Sequence, residues 1–215
     1  VQRACEGCSY DVVLSQQPQS YLAAREHRRQ QRSGLFLTVS QGVENRIAPE
    51  LDRWRQELGI AHGRFPYRWL TPAMQALLRM QWPRAVKWSD GIIVQHSQDR
   101  DFVCHSYGLP SPQVHVSASG LSGCFLDTPT CPMNVERLNR LLFVGQFAFY
   151  KGPYFLADIV SEVLTRHPRA TMTWVCSERD HDAARNLFAT SVRDRVTMQT
   201  WRKQDELVQT LDTHG

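Results

Sequence analysis

The sequence predicts an α/β protein built from two successive sets of parallel βα units. Three observations carry this. Short β-branched apolar runs alternate with longer segments of helical period, the alternation lapses over residues 117–134, and it restarts at Arg140 with a fresh buried strand. Parallel neighbours need crossover connections, and the segments between the apolar runs are long enough to supply them as helices.

The elements follow in order. Asp11 to Ser15 (Asp-Val-Val-Leu-Ser) reads as a buried strand and Tyr21 to Arg32 as the helix after it. Leu35 to Val39 is the next strand, closing in the turn-forming Ser40-Gln41-Gly42. Ala48 to Leu58 and Leu70 to Trp88 read as helices, the second opened by Thr71-Pro72 as cap and first turn. Pro83 is expected to interrupt or kink it, because proline lacks the N–H that a helix interior uses. Gly91 to Val94 is a strand leading into Ser97, the expected N-cap of a helix that reaches Tyr107 and stops at a left-handed Gly108. Val114 to Val116 is one more strand.

Residues 117–134 are rich in Ser, Gly, Pro and Thr without an apolar period, which is the composition of a linker. Arg140-Leu-Leu-Phe-Val-Gly145 is then a strand closed by glycine, followed by Lys151-Gly152-Pro153 and a helix. On that helix Phe155, Ile159, Val160, Val163 and Leu164 fall on one stripe. Thr171 to Cys176 and Arg195 to Gln199 are further strands, with Asp180 to Phe188 and Lys203 to Leu211 as the alternating helices. There is no internal repeat in the solenoid range and no low-complexity tract.

Bulk composition narrows the function classes. With 42% hydrophobic and 10% aromatic residues in 215, the chain can bury a core. Twenty-five Lys and Arg against 21 Asp and Glu leave +4, spread along the chain, so nucleic acid is not implied. The densest basic cluster, Arg25 to Arg32, continues a helical pattern and reads as a solvated helix face. No apolar run approaches a membrane span, and Val1 is preceded by neither an initiator Met nor a signal peptide, so the chain is expected to be cut from a longer one. Six cysteines are too few for a disulfide scaffold, and a reducing, cytoplasmic setting is expected. Cys5-Glu-Gly-Cys8 has C-x-x-C spacing without a second pair, and the eight histidines show no metal spacing, so no metal site is expected.

In an open parallel sheet, ligands bind beyond the carboxyl ends of strands, so the turns there are where chemistry is sought. Gly145 ends a buried strand and would let a ligand approach the backbone; the helix near Gly152 offers N–H groups to an anion; Lys151 adds a cation beside them. That combination suits a diphosphate. On spacing alone a plainer reading stands ahead of it, in which Gly145 only turns the chain and Lys151 is solvated, since neither G-x-G-x-x-G nor a Walker lysine motif is present. The same absence disfavours an NAD-dependent enzyme.

The order of motifs adds a further indication. Arg140-Leu-Leu-Phe-Val-Gly-Gln-Phe-Ala-Phe-Tyr-Lys-Gly152, a helix ending Leu164-Thr-Arg-His-Pro168, and upstream Ser89-Asp-Gly-Ile-Ile-Val94, Ser97, Tyr107-Gly108 and Val114-His-Val116 to Gly120 resemble family 4 glycosyltransferases in register. Asp205 to Leu211 is similar to the helix after that family's third donor-domain strand. The resemblance implies a GT-B fold of two Rossmann-like domains, here with residues 1–117 as the end of an acceptor-side domain, 118–138 as an interdomain linker and 139–215 as the start of a donor-binding domain. It implies transfer from a nucleotide-sugar to an acceptor hydroxyl, retaining and metal-independent, with no cofactor beyond the donor substrate.

By the same resemblance Gly145, Gln146 and Lys151 are the donor diphosphate residues, and Gly42 and Glu44 line the acceptor side. No catalytic residue is assigned. Gln146 stands where the family usually has arginine, and Gln16 and Gln41 stand where it often has histidine, so a catalytically inactive, glycosyltransferase-like binding protein is the alternative. Glu44 reads equally well as a capping or solvated carboxylate. The implied partners are a nucleotide-sugar and a sugar or lipid-linked acceptor, with peripheral membrane contact left open, and the 215 residues alone are expected to turn over poorly.

Overall fold

The computed structural model describes residues 10–16, 21–60, 67–128 and 135–214, the side chains of residues 44, 67–69, 71, 75, 78 and 135 excepted. The Cys5/Cys8 pair, Cys131 and the middle of the expected linker lie outside them. The chain divides into two compact units, residues 1–120 and 121–215.

The first unit runs β1 (Val12–Gln16), α1 (Tyr21–Arg29), β2 (Leu35–Ser40), α2 (Glu44–Glu57), α3 (Tyr67–Trp88), β3 (Gly91–Val94), α4 (Ser97–Tyr107) and β4 (Val114–Val116). The four strands form one parallel sheet in the order β1-β2-β3-β4, with Leu37 beside Gly91 and Ile92 beside Val114. Its core gathers Val43, Trp82, Ile92, Val94, Val103 and Val114, and Trp82 stacks on Tyr107 with centroids 6.4 Å apart. Gly34 enters β2 at φ +103, where an added Cβ would lie 2.1 Å from the Tyr10 carbonyl, so only glycine fits.

Several expectations change here. β1 was expected to be buried, yet Val12 and Leu14 are 48% and 64% exposed, because β1 stands first in the strand order and among the described residues has a neighbour on one side only. α2 starts at Glu44, four residues earlier than expected: the fully buried Val43 anchors its start, and the Val43 carbonyl accepts the Arg46 and Ile47 N–H groups. α3 opens at Tyr67, which puts Pro72 beyond the first turn, and it runs through Pro83 to Trp88. A proline inside a helix costs about 3 kcal/mol. Trp82 and Ala85, both fully buried on either side of it, provide the compensating packing. The N-cap of α4 is the extended His96 and not Ser97, whereas Gly108 ends that helix at φ 67 as expected.

The second unit contains α5 (Gly123–Leu126), α6 (Val135–Leu138), β5 (Arg140–Val144), α7 (Pro153–Arg166), β6 (Thr171–Val175), α8 (His181–Arg185), β7 (Val196–Gln199) and α9 (Gln204–Asp212). Its strands form a parallel sheet in the order β5-β6-β7, with Phe143 beside Trp174 and Val175 beside Gln199. The two short helices of the expected linker belong to this unit: α5 packs near α9, and the Arg137 guanidinium donates to the His214 carbonyl at 2.8 Å. α7 buries Pro153, Ala157, Val160 and Leu164, while Phe155 and Ile159 stay 39% and 61% exposed. The expected stripe is therefore rotated, because small Ala157 faces the sheet and allows close approach. No helix among the described residues is long and apolar enough to cross a membrane.

Candidate functional site

The geometry of the second unit converges on the turn between β5 and α7. The Gly145 N–H extends the ladder by donating to the Val175 carbonyl at 3.1 Å, and the Gly145 carbonyl accepts the buried Trp174 indole N–H at 2.9 Å. Trp174 is fully buried and meets Phe143 and Phe188 edge-on, with Phe147 tilted against it. A Cβ on Gly145 would sit 2.8 Å from Cε1 and Cζ of Phe143. The space freed by this glycine is thus occupied by the protein's own aromatic cluster, a packing reason for glycine that sequence spacing did not reveal.

From there the chain makes a 3-10 turn over Phe149–Lys151, closed by Lys151 N–H to the Ala148 carbonyl at 2.8 Å and Gly152 N–H to the Phe149 carbonyl at 3.0 Å. Gly152 is left-handed at φ 69, and Pro153 starts α7 with φ already suited to a helix. No side chain caps α7. Its positive dipole end therefore stays available to an anion. Lys151 is exposed, and its ammonium lies 5.4 Å from the Tyr150 ring centroid. The Tyr150 hydroxyl donates to Gln146 Oε1 at 2.9 Å, so the Nε2 donors of Gln146 are left without a protein partner among the described residues. Gly145, Gln146 and Lys151 are brought together on one turn, linked through Tyr150.

Gly42 and Glu44 lie in the first unit, on the turn between β2 and α2. Ser40 is fully buried; its hydroxyl donates to the Gly42 carbonyl at 2.7 Å and accepts the Gly42 N–H at 3.2 Å. This seals the turn onto itself. Glu44 is the first residue of α2, and its side chain lies outside the described residues. On the same turn of α2, Arg46 pairs with Asp99 at 2.6 Å, Asp99 being 1% exposed. Neither was singled out in the sequence; the signal was an opposite charge pair in the first turns of the two helices that follow adjacent parallel strands.

Among the described residues no group of three or more His, Cys, Asp or Glu is placed to hold a metal ion. Cys104, Cys124 and Cys176 are free thiols. Burial first, and then the negative charge of Asp180, push the Cys176 thiol pKa up. A cavity of about 560 Å³ bordered by Arg28, Lys87, Asp90 and Gln113 sits by the amino ends of β3 and β4, opposite to where ligands enter parallel sheets.

No family model and no curated protein matches the sequence. Solved structures do. The chain is similar to sucrose-phosphate synthase from Thermosynechococcus elongatus, with a TM-score of 0.61 at 15% identity over 99% of this chain and 50% of that one. It is similar to TarM, with a TM-score of 0.59 at 10% identity over 99% and 37%. A S. aureus TarM mutant in complex with Fondaparinux, alpha-GlcNAc-glycerol and UDP gives a TM-score of 0.51 at 8% identity over 83% and 35%. These neighbours are glycosyltransferases of the GT-B fold, and the chain has part of that fold. It spans half or less of the length of each of these chains.

Proposed function

We propose that this chain is part of a glycosyltransferase that moves a sugar from a nucleotide-sugar to an acceptor hydroxyl. The donor diphosphate rests on the turn from Gly145 to Gly152. The observation that carries this reading is the convergence there of the Lys151 ammonium, the unpartnered Gln146 amide donors and the uncapped start of α7, at the carboxyl end of β5. Those groups would take up the charge that develops on the leaving diphosphate as the glycosidic bond breaks, without a metal ion. UDP in the TarM mutant complex supports a nucleoside diphosphate as the ligand class. Retention of configuration, and an acceptor bound by the first unit near Gly42 and Glu44, belong to the same proposal.

Gln146 favours one further reading. An amide donates hydrogen bonds but does not neutralise phosphate, so a protein that binds a nucleotide-sugar without cleaving it is the second candidate. The test is release of labelled sugar from UDP-, GDP- and ADP-sugars by the full-length protein. Transfer or hydrolysis that falls at least tenfold in Lys151→Met supports the enzyme; saturable binding without cleavage supports the second reading; neither binding nor cleavage of any donor rejects both. The 215 residues alone, spanning half or less of these enzymes, are expected to show little turnover.

A further inference from the structure

The carboxyl ends of β2 and β3 are adjacent, Ser40 lying in register beside Val94. Each strand passes within four residues into a helix, so α2 and α4 both begin at the same edge of the sheet. Arg46 stands on the first turn of α2 and Asp99 on the first turn of α4. Asp99 Oδ1 accepts the Arg46 Nε–H at 2.6 Å, while Asp99 Oδ2 is buried with no hydrogen-bond partner among the described residues. Arg46 keeps 33% of its side chain exposed. Its Nη1 and Nη2 groups, four N–H donors, have no protein partner among the described residues.

A pair that served only to staple two helices would gain most from a fork-to-fork contact, with both carboxylate oxygens taking a guanidinium N–H. Here one oxygen takes Nε and the other stays bare. Contact through Nε alone leaves the outer fork, Nη1 and Nη2, unbonded to the carboxylate, and that fork is the form that grips a planar or tetrahedral oxyanion with two bonds. The amino termini of two helices at this edge favour negative charge as well.

The geometry points to Arg46 as an oxyanion-binding residue of the first unit, with Asp99 as its positioning residue, receiving a phosphate or carboxylate carried by a sugar acceptor. That the oxyanion belongs to an acceptor rests on the proposed transferase function; the binding itself does not.

The experiment follows the Arg46 Nε–H resonance in proton–nitrogen correlation spectra of the chain during titration with a hexose 6-phosphate, a hexuronate and the neutral hexose. A saturable shift with at least one of the two anions and none with the neutral sugar is expected, and the anion that saturates identifies the acceptor's charged group. Arg46→Lys keeps a cation beside Asp99, and with it the fold, yet weakens binding about tenfold because the fork is gone, a loss read in this variant from the backbone amide resonances of residues 45–47 and 97–99. Asp99→Asn keeps an acceptor for Nε and weakens binding about threefold with an unchanged thermal midpoint, which a stapling role would not produce. Lys151→Met leaves the titration unchanged. Absence of a saturable shift with either anion, undiminished binding in Arg46→Lys or Asp99→Asn, or loss confined to Lys151→Met would each overturn the inference. Retained oxyanion binding at Arg46 in a protein that binds no nucleotide-sugar would overturn the transferase reading alone.

Discussion

Replacing Gly145 by alanine isolates the packing that shapes the turn between β5 and α7. Gly145 is not in the left-handed region, so alanine is allowed by the backbone and its cost is steric. The new Cβ would lie 2.8 Å from Cε1 and Cζ of Phe143, whose ring is held edge-on by Trp174 at 5.3 Å. Overpacking of this kind costs about 1–3 kcal/mol, and the stiffer unfolded chain returns about 0.4–1 kcal/mol. The net expectation is a loss of about 1–2 kcal/mol in the second unit. Phe143→Leu deletes the two atoms that clash, so in that background Gly145→Ala should be neutral or stabilising by up to about 1 kcal/mol. Hydrogen-exchange mass spectrometry of peptides from residues 139–214 reads the second unit separately from the first. Additive effects of the two substitutions, within about 0.5 kcal/mol, would refute the reasoning.

Other consequences follow from the same contacts. Trp174→Phe keeps an aromatic ring but strands the Gly145 carbonyl, and should cost about 1–3 kcal/mol by the same exchange measurement. Arg46→Met leaves a buried carboxylate unpaired and should destabilise the first unit by about 3 kcal/mol, most of it recovered when Asp99→Leu is added; urea unfolding checks both. Because burial raises the folded Cys176 pKa, the folded thiol gives up its proton at a higher pH than the unfolded thiol, which ionises near pH ~8.5. Its contribution is complete below that pH and declines as pH rises towards the folded value, a decline that Cys176→Ala should abolish in melts run between pH 7 and 10. Iodoacetamide should label Cys104 and Cys124 well before Cys176 under native conditions.

The alternation of strands and helices was legible because each parallel strand is a compact apolar run that little else produces. Gly91 to Val94 and Arg140 to Val144 are strands where the pattern put them, and the glycines at 108 and 152 take the left-handed conformation. Helix edges were harder to read. The start of α2 depends on the burial of Val43, and the continuity of α3 through Pro83 depends on Trp82 and Ala85, both tertiary effects that override local propensity. The face of α7 was misjudged because Ala157, a weakly apolar residue, is the one the sheet accepts. On the turn between β5 and α7 the sequence singled out Gly145, Gln146 and Lys151 but not Trp174, whose indole reaches Gly145 from a strand 29 positions away. Arg46 and Asp99, 53 positions apart, were passed over for the same reason: their opposite charges become a signal only once the register of β2 and β3 makes them neighbours.

The central claim is that the turn from Gly145 to Gly152 receives a nucleoside diphosphate. Its most direct test is a titration of the chain with UDP, GDP and ADP, followed through backbone amide resonances. Saturable shifts clustered at residues 145–154 are expected for at least one nucleotide, with affinity lowered about tenfold or more in Lys151→Met, as loss of one charge-assisted contact of about 1.5–3 kcal/mol demands. Shifts centred elsewhere, or an affinity that Lys151→Met leaves intact, would contradict it.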